Sequence, residues 1–382
     1  MLTLCFLLLA NGVASPSFEE AVLLAEVEGV QGVFAEDLDN DGLDDVVWVS
    51  PEGVTWSRSL GSGDFEAPAL LDELLGFCTA VDMDGDGDLD VMGYGTWYEG
   101  AGDGSFTAHP FDAEAGSEDC WVDDLDGDGD LDVMYAEYWN PPAYWYANLG
   151  DGVFGPPEEL PHAAGQDPRG WGVASGDLDG DGVVDVLTGI DADLGGGLTW
   201  AKGLGGGAFG EPSGVRVGGV GCETADLDGD GDVDVLSGAF WAENLGGAQF
   251  NDGQTIFDDH LAATAPFDFD GDGDLDIVMA GNDGPLGWFE FDNGAYGGIH
   301  EVSGELSGWV EVALGDLDND GRVDILTGER LSGEVALYLQ GDEDGTRCGC
   351  SASTGAGGWV LGLMLAVLRR RRGAVARWSE PA

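Results

Sequence analysis

Small or β-branched residues recur at alternate positions in seven short stretches: Val33 and Ala35, Cys78 and Ala80, Cys120 and Val122, Val173 and Ser175, Cys222 and Thr224, Thr264 and Pro266, Val312 and Leu314. That spacing predicts a strand with one tightly packed face. A wholly apolar pair follows each stretch: Val46-Val47, Val91-Met92, Val133-Met134, Val186-Leu187, Val235-Leu236, Ile277-Val278 and Ile325-Leu326. Such pairs predict strands buried on both faces. A third segment carries Trp56, Trp97, Trp145, Trp200, Trp241 and Trp288, and a turn then leads to Phe65, Phe106, Phe154, Phe209 and Phe250. The turn is glycine-rich, less regularly so before Phe250, and predicts a hairpin into a fourth strand.

Between the first and second predicted strands the pattern D-x-D-x-D-G-x-x-D, followed by Val or Ile, occurs seven times. The copies begin at Asp37, Asp82, Asp124, Asp177, Asp226, Asp268 and Asp316, at intervals of 45, 42, 53, 49, 42 and 48 residues. A repeat of about 45 residues and four short strands has the size of a propeller blade. The last repeat runs through Val335 to Leu339 with no fourth strand, whereas Phe18 to Leu24 near the start mirrors Phe65 to Leu71. An N-terminal strand that completes the last blade would remove two open edges. The expected fold is therefore all-β, a seven-bladed β-propeller over residues 17–341, with an open array of repeats as the alternative.

Carboxylates at positions 1, 3, 5 and 9 converge on one centre when the chain curls, Gly at position 6 permits the turn, and position 7 offers its carbonyl. The predicted metal ligands are Asp37, Asp39, Asp41 and Asp45; Asp82, Asp84, Asp86 and Asp90; Asp124, Asp126, Asp128 and Asp132; and Asp177, Asp179, Asp181 and Asp185. The remaining loops supply Asp226, Asp228, Asp230 and Asp234; Asp268, Asp270, Asp272 and Asp276; and Asp316, Asp318, Asp320 and Asp324. The backbone carbonyls would come from Leu43, Asp88, Asp130, Val183, Asp232, Asp274 and Arg322. Position 4 is Gly or Asn throughout, consistent with a left-handed backbone, and the apolar position 2 pins the loop to the blade.

All-oxygen ligation on a flexible loop favours Ca²⁺, with up to seven ions, over Mg²⁺. Affinities in the ~10⁻⁴–10⁻³ M range of extracellular modules are expected. The pattern is not an EF-hand, because Trp48, Gly93 or Thr188 stands at the twelfth position in place of Glu. The competing reading, a polar turn without metal, leaves four like charges in one turn to repel one another.

These repeats resemble the FG-GAP/VCBS family, whose loops bind Ca²⁺ in the propellers of integrin alpha subunits and many bacterial surface proteins. The resemblance implies that calcium is mostly structural and that the opposite face or the axial region binds partners. It does not carry over which face does so here.

Composition sharpens the picture. Acidic residues number 75 against 12 Lys and Arg, for a net charge of −63. The body has only seven cations: Arg58, Arg169, Lys202, Arg216, Arg322, Arg330 and Arg347. Such a surface repels nucleic acid and anionic lipid and attracts divalent cations or basic partners. A hydrophobic fraction of 43% and 13 Trp argue for a folded body rather than a disordered one.

Both ends read as sorting segments. Residues 1–14 form an apolar run and a small-residue site, a signal peptide cut after Ala14, with a buried N-terminal helix as the alternative. Residues 342–358 are a Gly/Ser/Cys linker containing Cys348 and Cys350, and residues 359–382 are a short hydrophobic helix with the cluster Arg369 to Arg372. That order resembles the MYXO-CTERM sorting tails of myxobacteria, which implies surface delivery and processing near the cysteines. The ten residues after the arginines depart from that pattern. A marginal membrane anchor and a local Cys348–Cys350 disulfide are the alternatives. Either way the body is expected to be exported and tethered, touching the membrane only through its tail, and monomeric.

Cys78, Cys120 and Cys222 share a blade position with Val and Thr, which favours small buried hydrophobes; a Cys78–Cys120 disulfide is the rival. His109, His162, His260 and His300 share no evident motif and read as surface residues. No nucleophile elbow, phosphate loop or zinc spacing occurs. The favoured function is a calcium-stabilised binding or adhesion module for a protein or glycan, not an enzyme. The alternative is a propeller-type polysaccharide lyase or calcium-dependent phosphatase with an acidic axial site, against which the scarcity of cations counts. Tyr94, Tyr135, Tyr138, Trp139, Trp171 and Trp309 stand outside the repeat pattern and read either as a ligand platform or as blade packing.

Overall fold

The computed structural model describes residues 16–341 except 73–76, 94, 112–118, 137–141, 163–171, 191–196, 216–220, 258–261, 270–271, 282–283, 293, 307 and 309. The predicted signal segment, linker and tail, with Ala14, Cys348 and Cys350, lie outside these residues. So do Tyr94, Tyr138, Trp139, Trp171 and Trp309.

The protein is a seven-bladed β-propeller, each blade a four-stranded antiparallel sheet. Blade 1 comprises Gly32–Glu36, Asp45–Ser50, Gly53–Ser57 and Ala69–Asp72, and blade 2 comprises Phe77–Val81, Asp90–Gly93, Thr96–Gly100 and Phe106–Pro110. Blade 3 comprises Asp119–Asp123, Asp132–Ala136, Tyr144–Tyr146 and Glu158–Glu159, and blade 4 Val173–Gly176, Asp185–Ile190, Gly197–Ala201 and Ser213–Val215. Blade 5 comprises Glu223–Ala225, Asp234–Ser237, Phe240–Ala242 and Gln254–Thr255, and blade 6 Ala262–Phe267, Asp276–Gly281, Pro285–Asp292 and Ala295–Glu305. First strands of neighbouring blades touch one another, so they line the axis, and Val310–Gly315 of blade 7 lies against Gly32–Glu36 of blade 1.

Blade 7 takes three strands from the C-terminal repeat, Val310–Gly315, Asp324–Glu329 and Glu334–Tyr338, and its outer strand from the front of the chain, Val22–Glu26. The register sets Val22 opposite Leu337 and Glu26 opposite Glu334, with a bulge between Leu23 and Ala25. Ser17–Phe18 pairs with Gln340–Gly341, and the Glu19 amide donates to the Leu339 carbonyl at 2.8 Å. The ring is thus closed by the N-terminal strand, which satisfies the edge of the last blade.

The core lies between blades. The cluster of Leu38, Val47, Val49 and Val54 with Val91 and Tyr98 joins blades 1 and 2, while Val46 and Trp48, on the other face of the same strand, pack with Leu326 and Leu337 of blade 7. Each second strand is therefore apolar at consecutive positions because both its faces meet a neighbouring blade.

Cys222 is a free, buried thiol in the core between blades 4 and 5, as expected of a small hydrophobe. Cys120 is disulfide-bonded, so the hydrophobe reading fails at this copy; the side chain of its rival partner, Cys78, is outside the described residues. His109 and His300 have the exposed side chains expected of surface residues, but they do occupy equivalent positions. His109 pairs with Trp97 and His300 with Trp288, the same position in blades 2 and 6, and each stacks on that indole at 4.7 and 4.2 Å. Both stand twelve residues after their tryptophan, so the equivalence is legible from the third strand though not from the acidic loop. Tyr135 is blade packing, buried with its hydroxyl donating to the Gly93 carbonyl at 2.7 Å.

The hairpins between third and fourth strands fit against the preceding blade. A Cβ on Gly152, at φ +67°, would stand 2.1 Å from the indole of Trp97. Gly152→Ala is expected to cost about 1–3 kcal/mol through overpacking and left-handed strain. Gly155, with ordinary contacts near 3.6 Å, is the control. Thermal melting of the two alanine variants checks this; equal melting temperatures would remove the packing argument.

Candidate metal centres

Each acidic loop is a turn of constant length, eight residues between the first and second strands in every blade (37–44, 82–89, 124–131, 177–184, 226–233, 268–275 and 316–323). Position 6 has positive φ in all copies, from +88° at Gly42 to +105° at Gly273. Position 4 does too wherever it is described, including Asn40 at 57° and Asn319 at 58°. These two left-handed residues curl the loop, which is why Gly or Asn is required there. The position-2 side chains Leu38, Met83, Leu125, Leu178, Leu227, Phe269 and Leu317 are buried and anchor it.

Position 9 has a role that the pattern alone does not reveal. Its carboxylate Oδ2 accepts the position-2 amide of its own loop in every blade, from Leu38 to Asp45 at 3.3 Å to Leu317 to Asp324 at 2.9 Å. Its Oδ1 accepts an amide from the end of the third strand: Ser59, Gly100, Asn148, Gly203, Asn244, Phe291 and Gln340 donate at 2.6–3.0 Å. Asp45, Asp90, Asp132, Asp185, Asp234, Asp276 and Asp324 thus bind loop to hairpin through their own backbone contacts. Burial pushes Asp45, Asp90, Asp132 and Asp234 up to about 7, Asp185 to about 6 and Asp324 to about 8, while the amide donors oppose the rise.

Positions 1, 3 and 5 converge. One oxygen from each of Asp37, Asp39 and Asp41 lies within 4.8 Å of the others, and the same holds for Asp82, Asp84 and Asp86, for Asp177, Asp179 and Asp181, and for Asp226, Asp228 and Asp230. In blade 3 the converging set is Asp124, Asp126 and Asp132. Position-5 Oδ1 accepts the position-7 amide in all copies, at 2.9–3.0 Å, which orients the side chain and the chain of Leu43, Asp88, Asp130, Val183, Asp232, Asp274 and Arg322. In blade 6, Asp268 Oδ1 and Oδ2 accept the amides of Asp272 and Gly273 at 3.1 Å, and Asp270 is outside the described residues. In blade 7, Asp316 and Asp318 both accept the Asp320 amide, at 2.9 and 3.1 Å.

These residues fit a hard cation. The donor set is all oxygen, and Oδ1 of Asp82, Asp177 and Asp226 is buried without a hydrogen-bond partner. A buried, unsatisfied carboxylate oxygen is costly, and a cation satisfies it.

One neighbouring position escaped sequence reasoning. The residue just before the third-strand donor to the position-9 Asp is Arg58, Glu99, Ala147, Lys202, Glu243, Glu290 and Leu339 in blades 1 to 7, and its side chain meets the loop in blades 1 and 4. Its distance from the loop varies with the turn between second and third strands. Counting seven residues back from the hairpin aromatics Phe65, Phe106, Phe154, Phe209 and Phe250 does find it in five blades. Arg58 meets Asp39 at 2.5 Å and Asp41 at 2.8 Å. Lys202 contacts Asp179 and meets Asp181 at 2.6 Å, and these contacts hold its ammonium well above the ordinary range. In blade 7, Arg322 at position 7 pairs with Asp320.

A second acidic group lines the axis. Asp119, Glu223 and Glu311, half-buried on first strands of blades 3, 5 and 7, are each pushed up to about 7, mainly by burial; the charges of Glu223 and Glu311 add to the shift at Asp119. The Thr264 hydroxyl donates to Glu223 at 2.9 Å.

With fold and loops described, comparison with known proteins is direct. Residues 37–93, 124–188 and 268–327 match the FG-GAP-like repeat, covering the loop regions of blades 1 and 2, 3 and 4, and 6 and 7. The fold is thus a β-propeller in which these three segments are similar to FG-GAP-like repeats. No curated protein matches the chain. Among solved structures, an Agrocybe aegerita lectin that recognises non-reducing terminal N-acetylglucosamine is similar at 22% identity and a TM-score of 0.55, over 74% of this chain and 82% of the lectin. BBS1N, in a complex with ARL6DN, is similar at 12% identity and a TM-score of 0.58, over 86% of this chain and 98% of BBS1N. At these identities the likeness is one of fold.

The staple and the converging carboxylates separate experimentally. In EDTA, Asp132→Ala is expected to destabilise by about 2–4 kcal/mol because it orphans the buried amides of Leu125 and Asn148. Asp128→Ala, at an exposed position, should stay within about 0.5 kcal/mol under the same conditions. Denaturant unfolding checks both, and equal losses would make position 9 a ligand with no separate backbone role.

Proposed function

We propose that this protein is a calcium-stabilised binding propeller, exported and displayed at the cell surface, that recognises a protein or glycan. The carrying observation is the set of repeated loops in which three carboxylates converge and a buried Oδ1 stands unsatisfied in blades 2, 4 and 5. Positions 1, 3, 5 and 9 and the position-7 carbonyls are the proposed Ca²⁺ ligands. When bound, the ion would neutralise charge between buried strands and hold the loop curled. Seven ions would bring −63 to about −49 by simple addition, leaving the surface acidic. Export and tethering rest on the leader-like and tail-like ends of the sequence.

The binding reading rests on the difference between the two ends of the propeller. Acidic loops and third-to-fourth hairpins share one end; turns between second and third strands and connections between blades share the other. Loops keep one length, whereas the second-to-third turns range from two residues (51–52) to seven (137–143). The sequence of that variable end includes Tyr94, Tyr138, Trp139, Trp171 and Trp309. Aromatic side chains present an apolar body and a polar handle suited to sugar rings and protein surfaces. The lectin shares this fold, which supports a glycan as one of the two partner classes.

Removing calcium with EDTA is expected to lower the melting temperature by roughly 10 °C or more, the shift that several kcal/mol produces in a chain of this size. Unchanged melting would sink the calcium reading. A glycan array and a pull-down with calcium-loaded protein should yield a ligand whose binding is lost on Trp139→Ala or Trp171→Ala. Retained binding in both variants would move the site off the variable end.

A further inference from the structure

We propose that Arg58 and Lys202 are tethered counterions that take the place of a divalent ion in the loops of blades 1 and 4, and that the loops of blades 2 and 5, where Glu99 and Glu243 stand at the same position, load first. The inference rests on the calcium reading of the loops and adds that they are not equivalent. The propeller then holds fewer ions than it has loops.

Geometry carries the argument. Arg58 and Lys202 are separated by more than a hundred residues, yet each projects from the same place, one residue before the third-strand donor to the position-9 Asp. Each bridges the same two carboxylates, positions 3 and 5, which are two of the three that converge. Arg58 reaches Asp39, whose side chain is only 3% exposed, so the guanidinium sets its charge against an acid that water scarcely touches. A cation fixed between two ligands repels an incoming divalent ion and occupies its donors.

At the same position, blades 2, 5 and 6 place an acid (Glu99, Glu243 and Glu290), but in blade 6 both oxygens of the position-1 Asp268 already accept amides. The charge of Glu99 acts on Asp84 and that of Glu243 on Asp228, the position-3 carboxylates of their loops. Both loops also hold a buried position-1 Oδ1 without a partner, in Asp82 and Asp226. In blade 1 the corresponding oxygen of Asp37 accepts the Asp41 amide at 3.0 Å. Glu99 hydrogen-bonds the His109 ring at 2.8 Å, and Glu243 accepts the Asn251 side-chain amide at 3.1 Å. Replacing a fixed positive charge by a negative one beside the site is expected to raise affinity by roughly two orders of magnitude. In blade 4, Asp177 Oδ1 is buried and unpartnered as well, which makes Lys202 the sharper test.

The test is calcium stoichiometry of the full chain after equilibrium dialysis, read by elemental analysis, for wild type, Arg58→Met, Lys202→Met and the double variant. Methionine keeps the apolar stem and removes the charge. Each single variant should bind one more Ca²⁺ per chain than wild type and the double variant two more, while Arg58→Lys and Lys202→Arg keep the wild-type number. Glu243→Gln should weaken the tightest class of sites about tenfold or more. Wild type loading all seven loops, or variants with unchanged stoichiometry, would overturn the counterion assignment and leave the calcium reading intact. No bound calcium in any of the proteins would instead overturn the calcium reading itself.

Discussion

The structure depends on a buried carboxylate that holds two pieces of backbone at once. Every blade turns between its two innermost strands through a loop too rich in acid to be stable by apolar packing. In every blade the last Asp of that loop points inward and accepts amides from both the loop and the end of the third strand. An ionised carboxylate is an acceptor only, and backbone amides are donors only, so the match is complete without a second side chain. Burial opposes the charge, which is why these acids are pushed toward neutral pH. The repeated Asp is therefore kept first by backbone hydrogen bonding, and any metal it also touches adds to that role.

From this staple the coupling runs outward between blades. Asn148 and Asn244 donate their amide N–H to the staple and their side-chain Nδ2 to Met83 and Leu178, the position-2 carbonyls of the preceding loops, at 3.0 and 2.8 Å. The hairpin glycines then close over the preceding tryptophan. A loop thus reports on its own blade and on the next one round the ring. Because the N-terminal strand completes blade 7, the same chain of contacts returns to its start: the Asp316 amide donates to Asp44 of blade 1 at 2.8 Å.

Much of this was legible in the residues, for a physical reason. Alternation before Asp37, the paired Val46-Val47 after it and the orphan resemblance of Phe18–Leu24 to Phe65–Leu71 are local consequences of burial, and repeat-to-repeat agreement made them stand out. Gly42 and Asn40 were readable because a left-handed backbone restricts the residue type. What stayed hidden depends on register across a turn of variable length. His109 and His300 occupy one position, which counting from the acidic loop conceals and counting from Trp97 and Trp288 reveals. The place shared by Arg58, Lys202, Glu99 and Glu243 is equally invisible from the loop and visible only from the hairpin. Cys120 shows the limit of reasoning by equivalence, since a blade position that accepts Val or Thr also accepts half of a disulfide.

The two ends of the propeller answer to different constraints. At the loop end, a change of one residue in length would misplace the staple, so eight residues separate first and second strands in every blade. At the other end no such hydrogen-bond pair spans the turn among the described residues, and lengths vary. Charge at the loop end varies where length and hydrogen bonding leave it free, at position 7 of the loop (from Asp88 to Arg322) and at the residue before the third-strand donor. That is where Arg58, Glu99, Ala147, Lys202 and Glu243 differ. A ring built from one repeated turn can in this way hold several electrostatic environments while every turn keeps the same shape.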